Sequence, residues 1–369
     1  MGMTSPFLIR IIAQSGHEGG SAGSIFGIST IGSVVGTFLP ILVFIPTWGT
    51  GKTILFFAAV LFVVTALGFA GKRNALLSVI VAVPFLFPIP SMREIPGTIY
   101  STESAYQYIE VLDKGSYRYL VYNDAVGFQT VANKTSVLTG LNYYYDYYSL
   151  LPFLFRDAPK SALIIGLGGG IIANQLHYFH QKIGIDGVEI DPKVIQIART
   201  YFALSDAVRT YNQDGRIFVD QEKRKHDLII IDAYTQQVYI PFHLTTTEFF
   251  SQVKKGLSND GIVAMNVSSA REDSPLIQSI NNTLSLVFGH VYRLRIPGSV
   301  DNVLLASDRS VDFALLAGAN ATELRDIVRY SQMNFRESKY DNRYKPLTDD
   351  LAPVEHMVDW EILKRGIMR

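Results

Sequence analysis

The chain has 369 residues, enough for two or three structural units, and its 33 basic and 33 acidic residues give a formal net charge of zero. This balance argues against nucleic acid as a partner, since nucleic-acid binding needs a basic face. The absence of cysteine excludes disulfides, thiolate metal sites and cysteine nucleophiles. The seven histidines do not pair at ligand spacing, so we expect no metal.

The N-terminal quarter predicts a membrane segment of about three transmembrane helices, residues 1–93. Three apolar stretches there carry charged residues only at their ends, and a helix that crosses a bilayer needs roughly 20 apolar residues. We place the helices at Ile25–Pro46, Ile54–Gly71 and Ala75–Pro90. Small residues such as Gly32 and Gly36 favour close packing against the other helices or a second subunit, as in a homodimer. The alternative is three buried core helices in a soluble protein.

Residues 94–150 predict a small β unit. Short alternating segments are separated by turn residues, a pattern typical of antiparallel strands. We expect strands at Tyr106–Leu112, Tyr117–Tyr122 and Val126–Val131.

Residues 151–369 predict an α/β domain. Near-continuous apolar strands that alternate with helices indicate a parallel sheet covered on both faces, a doubly wound Rossmann-like sheet. Two consecutive strands near the end suggest an antiparallel edge. The expected strands are Ala162–Leu167, Gly184–Ile190, Val208–Gln213, His226–Ile231, Gly261–Val267, Val291–Ile296 and Asn302–Ser307. The expected helices are Gly169–Lys182, Pro192–Leu204, Thr246–Gly256 and Ser274–Phe288.

A glycine-rich loop follows the first of these strands. Gly166, Gly168 and Gly170 stand just before a helix, where glycine lets the backbone approach a ligand closely. A glycine run alone is also compatible with a plain tight turn.

Acidic residues follow the next three strands. Glu189 and Asp191 end the second strand, where a carboxylate can accept hydrogen bonds from ribose hydroxyls, although Asp191 before a proline is also a helix N-cap candidate. Asp214-Gly215 follows the third strand and either contacts an adenine amino group or forms a turn. Asp232 closes the fourth. Because the carboxyl ends of parallel strands meet at one edge, we expect one ligand-binding crevice.

Further motifs accompany these sites along nearly the whole chain. They are Glu103-Ser104-Ala105-Tyr106-Gln107, Gln129, Tyr144-Tyr145-Asp146 with Leu151-Pro152, Ile240-Pro241-Phe242-His243-Leu244 and Thr348-Asp349-Asp350-Leu351-Ala352-Pro353-Val354-Glu355. Together the motifs resemble the class I S-adenosylmethionine-dependent methyltransferase fold. More specifically, they resemble the spermidine synthase (polyamine aminopropyltransferase) family, in the branch fused to a membrane segment.

The resemblance implies transfer of an aminopropyl group from decarboxylated S-adenosylmethionine to a small polyamine substrate such as putrescine, with release of methylthioadenosine. It implies Asp232 as general base. The nucleoside-binding residues implied are Gln107, Gln129, Gly166, Gly168, Gly170, Glu189, Asp191, Asp214 and Gly215. The amine-binding candidates are Tyr144, Tyr145, Tyr234, Asp349 and Asp350.

The sequence departs from the family pattern at three acidic positions. Gly169 replaces an aspartate of the glycine loop, Gly140-Leu141-Asn142 replaces a paired Asp-Glu, and Thr235 replaces a second aspartate. The acceptor amine therefore stays open, as does the choice between decarboxylated and intact S-adenosylmethionine. Two alternatives remain: an S-adenosylmethionine-dependent methyltransferase, and a non-catalytic nucleoside-binding partner of a transporter. Because such sulfonium ligands are cytosolic, we expect the α/β domain on the cytoplasmic face of the membrane.

Overall fold

The computed structural model describes residues 18–68, 95–123, 127–235, 239–269, 271 and 273–367. The chain divides into two compact units. The first contains the helices of residues 18–68 together with residues 103–106, and the second contains residues 95–102 and everything described from residue 107 onward. The second unit holds both the small β unit and the α/β domain, so the predicted division near residue 150 falls within one compact unit.

The first unit is helical from residue 18 to residue 68. Helix α1 (Glu18–Leu39) continues through a π-helical turn at Pro40–Phe44 into α2 (Ile45–Trp48), and α3 (Thr50–Gly68) follows. Gly49 separates them with φ of +84°, a conformation that favours glycine at a helix end.

These helices agree in position with the first two predicted spans. The segment Gly23–Trp48 is long and apolar enough to cross a membrane, and none of its most apolar window is buried within the protein. Thr50–Val64 is a shorter apolar helix. The third predicted span, Ala75–Pro90, lies outside the described residues.

The small β unit is a four-stranded sheet in the order β1-β2-β3-β4. Its strands are β1 (Thr98–Glu103), β2 (Tyr108–Lys114), β3 (Tyr117–Tyr122) and β4 (Thr130–Asn133). The sequence did not predict β1, because its residues are largely polar and none is fully buried, which leaves no clear apolar alternation. β4 begins later than predicted.

The α/β domain contains an eight-stranded sheet in the order β12-β10-β11-β9-β8-β5-β6-β7. Its strands are β5 (Ser161–Ile165), β6 (Gly184–Glu189), β7 (Arg209–Asn212), β8 (His226–Ile231), β9 (Leu257–Ser268), β10 (His290–Arg295), β11 (Asp301–Ser307) and β12 (Arg336–Glu337). From β9 to β7 the neighbours are parallel, and β11, β10 and β12 form an antiparallel edge. The predicted fold class is confirmed.

The domain's helices pack on both faces of this sheet. They are α4 (Tyr144–Tyr148), α5 (Ile171–Phe179), α6 (Pro192–Tyr201), α7 (Gly215–Gln221), α8 (Thr247–Lys255), α9 (Pro275–Val287), α10 (Arg325–Asn334) and α11 (Val354–Ile367). Alternate residues of the central strands enter opposite cores: Ile164 and Ile230 lie in one, and Leu163 and Ile229 in the other. Burial on both faces explains the unbroken apolar runs of β5 and β8. Their parallel pairing places their carboxyl ends at the same edge of the sheet.

Candidate active site

The glycine loop begins where β5 ends and lies against the end of β8. Gly166, Gly168 and Gly170 all have positive φ, at +88°, +49° and +77°. A Cβ on Gly166 would lie 2.3 Å from the carbonyl oxygen of Asp232, so only glycine permits this approach of the two strand ends. The backbone amide of Gly169 donates to Oγ1 of Thr130 at 2.9 Å, which anchors the loop to β4.

Glu189, the last residue of β6, turns its carboxylate toward the glycine loop. Its Oε2 accepts from the amides of Leu167 (3.1 Å) and Gly168 (3.3 Å), and its Oε1 accepts from the amide of Asp191 (3.1 Å). Burial is the main cause that raises the pKa of Glu189. Three backbone amides therefore hold the carboxylate against the glycine loop.

Asp191 acts as a helix cap. It is fully buried, and its Oδ1 accepts from the amide of Lys193 at 2.9 Å in the first turn of α6. This is the structural role that the sequence also allowed, and it occupies one of the two carboxylate oxygens.

Asp214 also caps a helix, at the start of α7. Its Oδ1 accepts from the amides of Arg216 (2.9 Å) and Ile217 (3.1 Å), and its Oδ2 lies 3.1 Å from Nε2 of His243. A Cβ on Gly215 would lie 2.3 Å from Cγ2 of Ile165, so this glycine is required by packing beneath β5. The Asp-Gly pair thus begins a helix at the crevice.

Gln107 and Gln129 both belong to the small β unit. The side chain of Gln107 hydrogen-bonds to the phenol of Tyr122. Gln129 immediately precedes β4, is half-buried, and donates its backbone amide to the carbonyl of Leu120 at 2.9 Å.

Asp232 follows β8 at the centre of the carboxyl edge. Its Oδ2 accepts a 2.8 Å hydrogen bond from the hydroxyl of Tyr144, the first residue of α4. Its Oδ1 is shielded from solvent and has no hydrogen-bond partner in the described part of the chain. Burial raises the pKa of Asp232 to about 7. Side-chain hydrogen bonds from Tyr144 and Asn266 oppose that rise, and the charge of Asp301 adds to it.

The other predicted amine-binding tyrosines have different roles. Tyr145 is buried, and its hydroxyl exchanges hydrogen bonds of 3.0 and 3.1 Å with the backbone of Val131 in β4. Tyr234 donates to the carbonyl of Asn266 at 3.0 Å and accepts from the amide of Ser268 at 3.2 Å. Tyr234 is thus held beside Asp232 by β9, whereas Tyr145 fastens α4 to the small β unit.

The acidic pair of the C-terminal motif contacts other groups. The carboxylate of Asp349 forms a two-point ion pair with the guanidinium of Arg216 at 2.7 and 2.6 Å and accepts from Oγ1 of Thr246 at 2.7 Å. Asp350 is exposed. The charge of Asp349 is therefore matched by Arg216 on α7, and the contact fastens the C-terminal segment to α7 and α8.

Sequence reasoning missed two residues around Asp232. Asn266 is on β9 and Asp301 begins β11. Tyr148, which ends α4, belongs to the tyrosine-rich run Tyr143–Tyr148, which the sequence offers either as aromatic faces near a cation or as packing residues. Asp301 accepts from the hydroxyls of Ser268 and Ser299, both at 2.6 Å. In the sequence Ser299-Val300-Asp301 is indistinguishable from a polar turn, and only the pairing of β11 with β9 brings Asp301 to this edge.

One group of potential metal ligands lies at the opposite end of the sheet. Ligand atoms of Asp186, Glu222 and His226 all lie within 4.8 Å of one another. The carboxylate of Asp186 already pairs with Arg209 (2.6 Å) and Arg224 (3.1 Å). These ion pairs neutralise the charge that would attract a cation, so the donor set does not favour a metal.

The sheet order and the crevice at its carboxyl edge define a Rossmann-like α/β domain. Comparison with known proteins specifies the family. The family model for the spermine/spermidine synthase domain matches residues 143–299. The "Polyamine aminopropyltransferase" of Vibrio vulnificus (strain CMCP6) is 31% identical over 272 residues, covering 69% of this chain and 90% of that relative. The chain therefore belongs to the spermidine synthase (polyamine aminopropyltransferase) family of transferases.

Two further comparisons agree. The "Probable polyamine aminopropyl transferase" of Bifidobacterium longum (strain NCC 2705) is 32% identical over 284 residues, covering 70% of this chain but only 63% of that relative. The crystal structure of a probable spermidine synthase from Corynebacterium glutamicum ATCC 13032 superposes with a TM-score of 0.55 at 18% identity. It covers 70% of this chain and 97% of that chain, and it shows the shared fold.

Proposed function

We propose that this protein transfers an aminopropyl group from decarboxylated S-adenosylmethionine to a small amine such as putrescine and releases methylthioadenosine. The observation that carries the proposal is the environment of Asp232. The residue stands at the convergence of the parallel strands, accepts from Tyr144, and keeps one shielded oxygen without a partner among the described residues. Membership of the aminopropyltransferase family supports the same reaction.

The nucleoside half of the ligand fits the loop side of the crevice. Glu189 would accept from the ribose hydroxyls at the end of β6, as an acidic residue does at this point of Rossmann-like folds. Asp214 and the start of α7 would contact the adenine. The glycine loop permits close approach of the ligand, and Gln107 and Gln129 would complete the site from the small β unit.

Asp232 is the proposed general base. The nitrogen lone pair of a neutral amine forms the new C–N bond at the propyl carbon, and the C–S bonding electrons return to sulfur as methylthioadenosine leaves. The proton lost by the nitrogen passes to the carboxylate of Asp232. The sulfonium is already a good leaving group, so the protein's tasks are to position the two reactants and accept the proton.

The raised pKa of Asp232 suits this role. A pKa of about 7 makes the group a stronger base than an ordinary aspartate while leaving it substantially ionised at neutral pH. The positive charge of a bound sulfonium favours the ionised form further.

We also propose that the N-terminal helices anchor the enzyme in a membrane, with the catalytic domain facing the cytoplasm. Large apolar side chains are exposed along Gly23–Trp48, which is costly in water and favourable in hydrocarbon. They include Phe26, Ile28, Ile31, Phe38, Ile41 and Leu42. An enzyme that stays in the supernatant of a detergent-free membrane preparation would contradict the anchor.

Product analysis tests the reaction. The purified enzyme, supplied with decarboxylated S-adenosylmethionine and putrescine, is expected to yield methylthioadenosine and spermidine by mass spectrometry. Asp232→Asn should abolish turnover while binding of methylthioadenosine is retained. S-adenosylhomocysteine from intact S-adenosylmethionine would instead establish a methyltransferase, and nucleoside binding without any product would favour a non-catalytic role.

A further inference from the structure

Three buried polar groups lie together at the carboxyl edge without hydrogen-bond partners among the residues that the structure describes. They are Oδ1 of Asp232, Oδ1 of Asn266 and the hydroxyl of Tyr148. Asn266 is 2% exposed and Tyr148 is fully buried. Buried polar atoms are normally hydrogen-bonded, so a cluster of unpaired ones requires an explanation. Two of the three are obligate acceptors, which match a ligand that carries several N–H donors.

Asp301 lies at the same edge, two strands from Asp232. It pairs with Ser268 of β9, while Ile231, the residue before Asp232, pairs with Met265 of the same strand. Two strand spacings separate the carboxylate-bearing positions by roughly 10 Å across the sheet. This separation leaves room for a short alkyl chain between the two side chains.

The carboxylate of Asp301 has no cationic partner in the described part of the chain. It is 9% exposed, and the hydroxyls of Ser268 and Ser299 are its side-chain donors. Its negative charge contributes to raising the pKa values of three neighbouring groups, Asp232, Tyr144 and Tyr234. A buried carboxylate whose hydrogen-bond donors are all neutral favours the binding of a cation beside it.

Aromatic side chains enclose the space near both carboxylates. The rings of Tyr144 and Tyr148 meet edge to face with centroids 5.7 Å apart, and Tyr234 is fixed by Asn266 and Ser268 of β9. An alkylammonium ion is attracted to aromatic faces, and its methylene chain packs against them.

We propose that Asp301 binds the second, non-reacting ammonium group of the acceptor and thereby selects diamines over monoamines. This inference rests on the proposed aminopropyl transfer. The reacting nitrogen lies at Asp232 and the remote nitrogen at Asp301. Asp301 thus supplies negative charge at the end of the proposed amine site that lies away from Asp232.

The test compares 1,4-diaminobutane with 1-aminobutane as acceptors, using kcat/KM of the full-length enzyme in detergent. The wild type should prefer the diamine by about 100-fold, the scale of a buried charge pair. Asp301→Asn should remove most of that preference by raising the KM of the diamine. Because the charge of Asp301 also acts on the pKa of Asp232, kcat/KM for both amines can shift, but the loss should be far larger for the diamine than for the monoamine. Ser299→Ala is the matched control, since it removes the two hydrogen bonds between the Ser299 hydroxyl and Asp301 but keeps the charge, and it should retain the preference.

A second variant tests position as well as charge. Asp301→Glu moves the carboxylate outward by one methylene, so it should keep the preference for diamines but improve 1,3-diaminopropane relative to 1,4-diaminobutane. A preference that Asp301→Asn leaves intact, or an equal loss for both amines, would overturn the proposal. So would a wild-type enzyme that uses both amines equally well, a result that holds even if the variants fail to fold.

Failure of the reaction itself is recognised separately. If the wild type releases no methylthioadenosine with any amine, the proposed function fails, whereas an active wild type with an unaltered Asp301→Asn variant refutes only the role of Asp301. Calorimetric titration of 1,4-diaminobutane into the methylthioadenosine-bound protein then decides the inference without turnover. Binding that is weakened about 100-fold by Asp301→Asn supports it, and binding that is unchanged overturns it.

Discussion

The hydroxyl of Tyr144 donates a 2.8 Å hydrogen bond to Oδ2 of Asp232, which lies 88 positions further along the chain. The bond joins the first residue of α4 to the residue that follows β8, so it couples the segment after the small β unit to the centre of the sheet. It also opposes the effect of burial on the pKa of Asp232, which is nonetheless raised to about 7. Tyr144 therefore adjusts the basicity of the proposed general base.

Replacing Tyr144 by phenylalanine should make Asp232 harder to ionise. The hydrogen bond favours the charged carboxylate, so its loss raises the pKa of Asp232 further. Because the base must be ionised, activity falls as pH drops below this pKa. The acidic limb of the kcat/KM profile should move upward by about one pH unit, with roughly a fivefold loss at pH 7. A pH–rate profile measures both effects.

Tyr145→Phe is the matched control for that experiment. The Tyr145 hydroxyl bonds to the backbone of Val131 and not to Asp232. Its removal should lower stability by about 1 kcal/mol and leave the acidic limb in place. Equal displacement of the limb in both variants would show that the Tyr144 hydrogen bond has no specific effect.

The raised pKa of Asp232 also predicts how the protein's stability depends on pH. The pKa is about 7 in the folded protein against 3.8 for an unperturbed aspartate. As pH rises from 4 to 7, the unfolded chain releases this proton before the folded one, so the folded state loses stability over that window, by about 4 kcal/mol.

Asp232→Asn removes this titration and should raise the thermal unfolding midpoint. The gain should be larger at pH 8 than at pH 5, because the wild type carries the full cost only above the folded pKa. A catalytic group that costs stability is common in active sites. A variant less stable than the wild type at pH 8 would contradict the assignment.

Gly166→Ala should damage the site through the backbone. The new methyl group would lie 2.3 Å from the carbonyl oxygen of Asp232, at a residue whose φ is +88°. Relief of that clash must displace Asp232 or the loop, so kcat should fall by about 100-fold or more, together with a stability loss of about 3 kcal/mol. Thermal melting and steady-state kinetics measure the two effects.

Gly115→Ala separates strain from steric conflict. Gly115 also has a positive φ, of +58°, but no atom lies within 4 Å of its expected Cβ. The Gly115→Ala substitution should lower stability by about 1 kcal/mol and leave kcat unchanged. If both alanine variants retained full activity, the close approach of β5 and β8 would be irrelevant to catalysis.

The side of the crevice proposed for the nucleoside lies where parallel topology places it, so its position in the fold could be predicted. The apolar runs of β5 and β8 identify buried strands, and strands that alternate with helices must align their carboxyl ends. The chain positions of Gly166, Glu189 and Asp232 then follow without knowledge of any tertiary contact. The structure adds the hydrogen bonds that these groups make within the protein, such as those that the Glu189 carboxylate accepts from the loop amides.

The side of the crevice proposed for the amine could not be predicted in the same way. Asn266 and Asp301 reach the site through the register between β9 and the antiparallel β11, which no local pattern determines. Asp349 is the opposite case, because the sequence offered it for the amine and the structure pairs it elsewhere. Its position beside Asp350 in the sequence does not indicate the ion pair with Arg216, which is 133 residues away. Long-range pairings of this kind are set by packing and not by local sequence.

Glu189→Gln should weaken nucleoside binding. A neutral amide accepts weaker hydrogen bonds from ribose hydroxyls than a carboxylate does. The affinity for methylthioadenosine should therefore fall by about 10-fold to 100-fold. Calorimetric titration measures this loss. Asp191→Asn provides the comparison, because Asn also caps helices well and Asp191 bonds to the amide of Lys193. A larger loss for Asp191→Asn than for Glu189→Gln would reverse the roles of the two residues.

Asp349→Asn tests whether the C-terminal acidic motif serves the amine or the fold. The carboxylate is matched by Arg216, and the two side chains are 41% and 20% exposed, so solvent screens much of their attraction. The variant should lose about 1 kcal/mol of stability and keep the wild-type KM for 1,4-diaminobutane, in contrast to Asp301→Asn. Arg216→Gln should produce a similar loss of stability, and the double variant should lose little more than either single one, because both remove the same pair. If Asp349→Asn raised the KM for the diamine and left stability unchanged, Asp349 would bind the amine. Its ion pair with Arg216 would then contribute little to the stability of the fold.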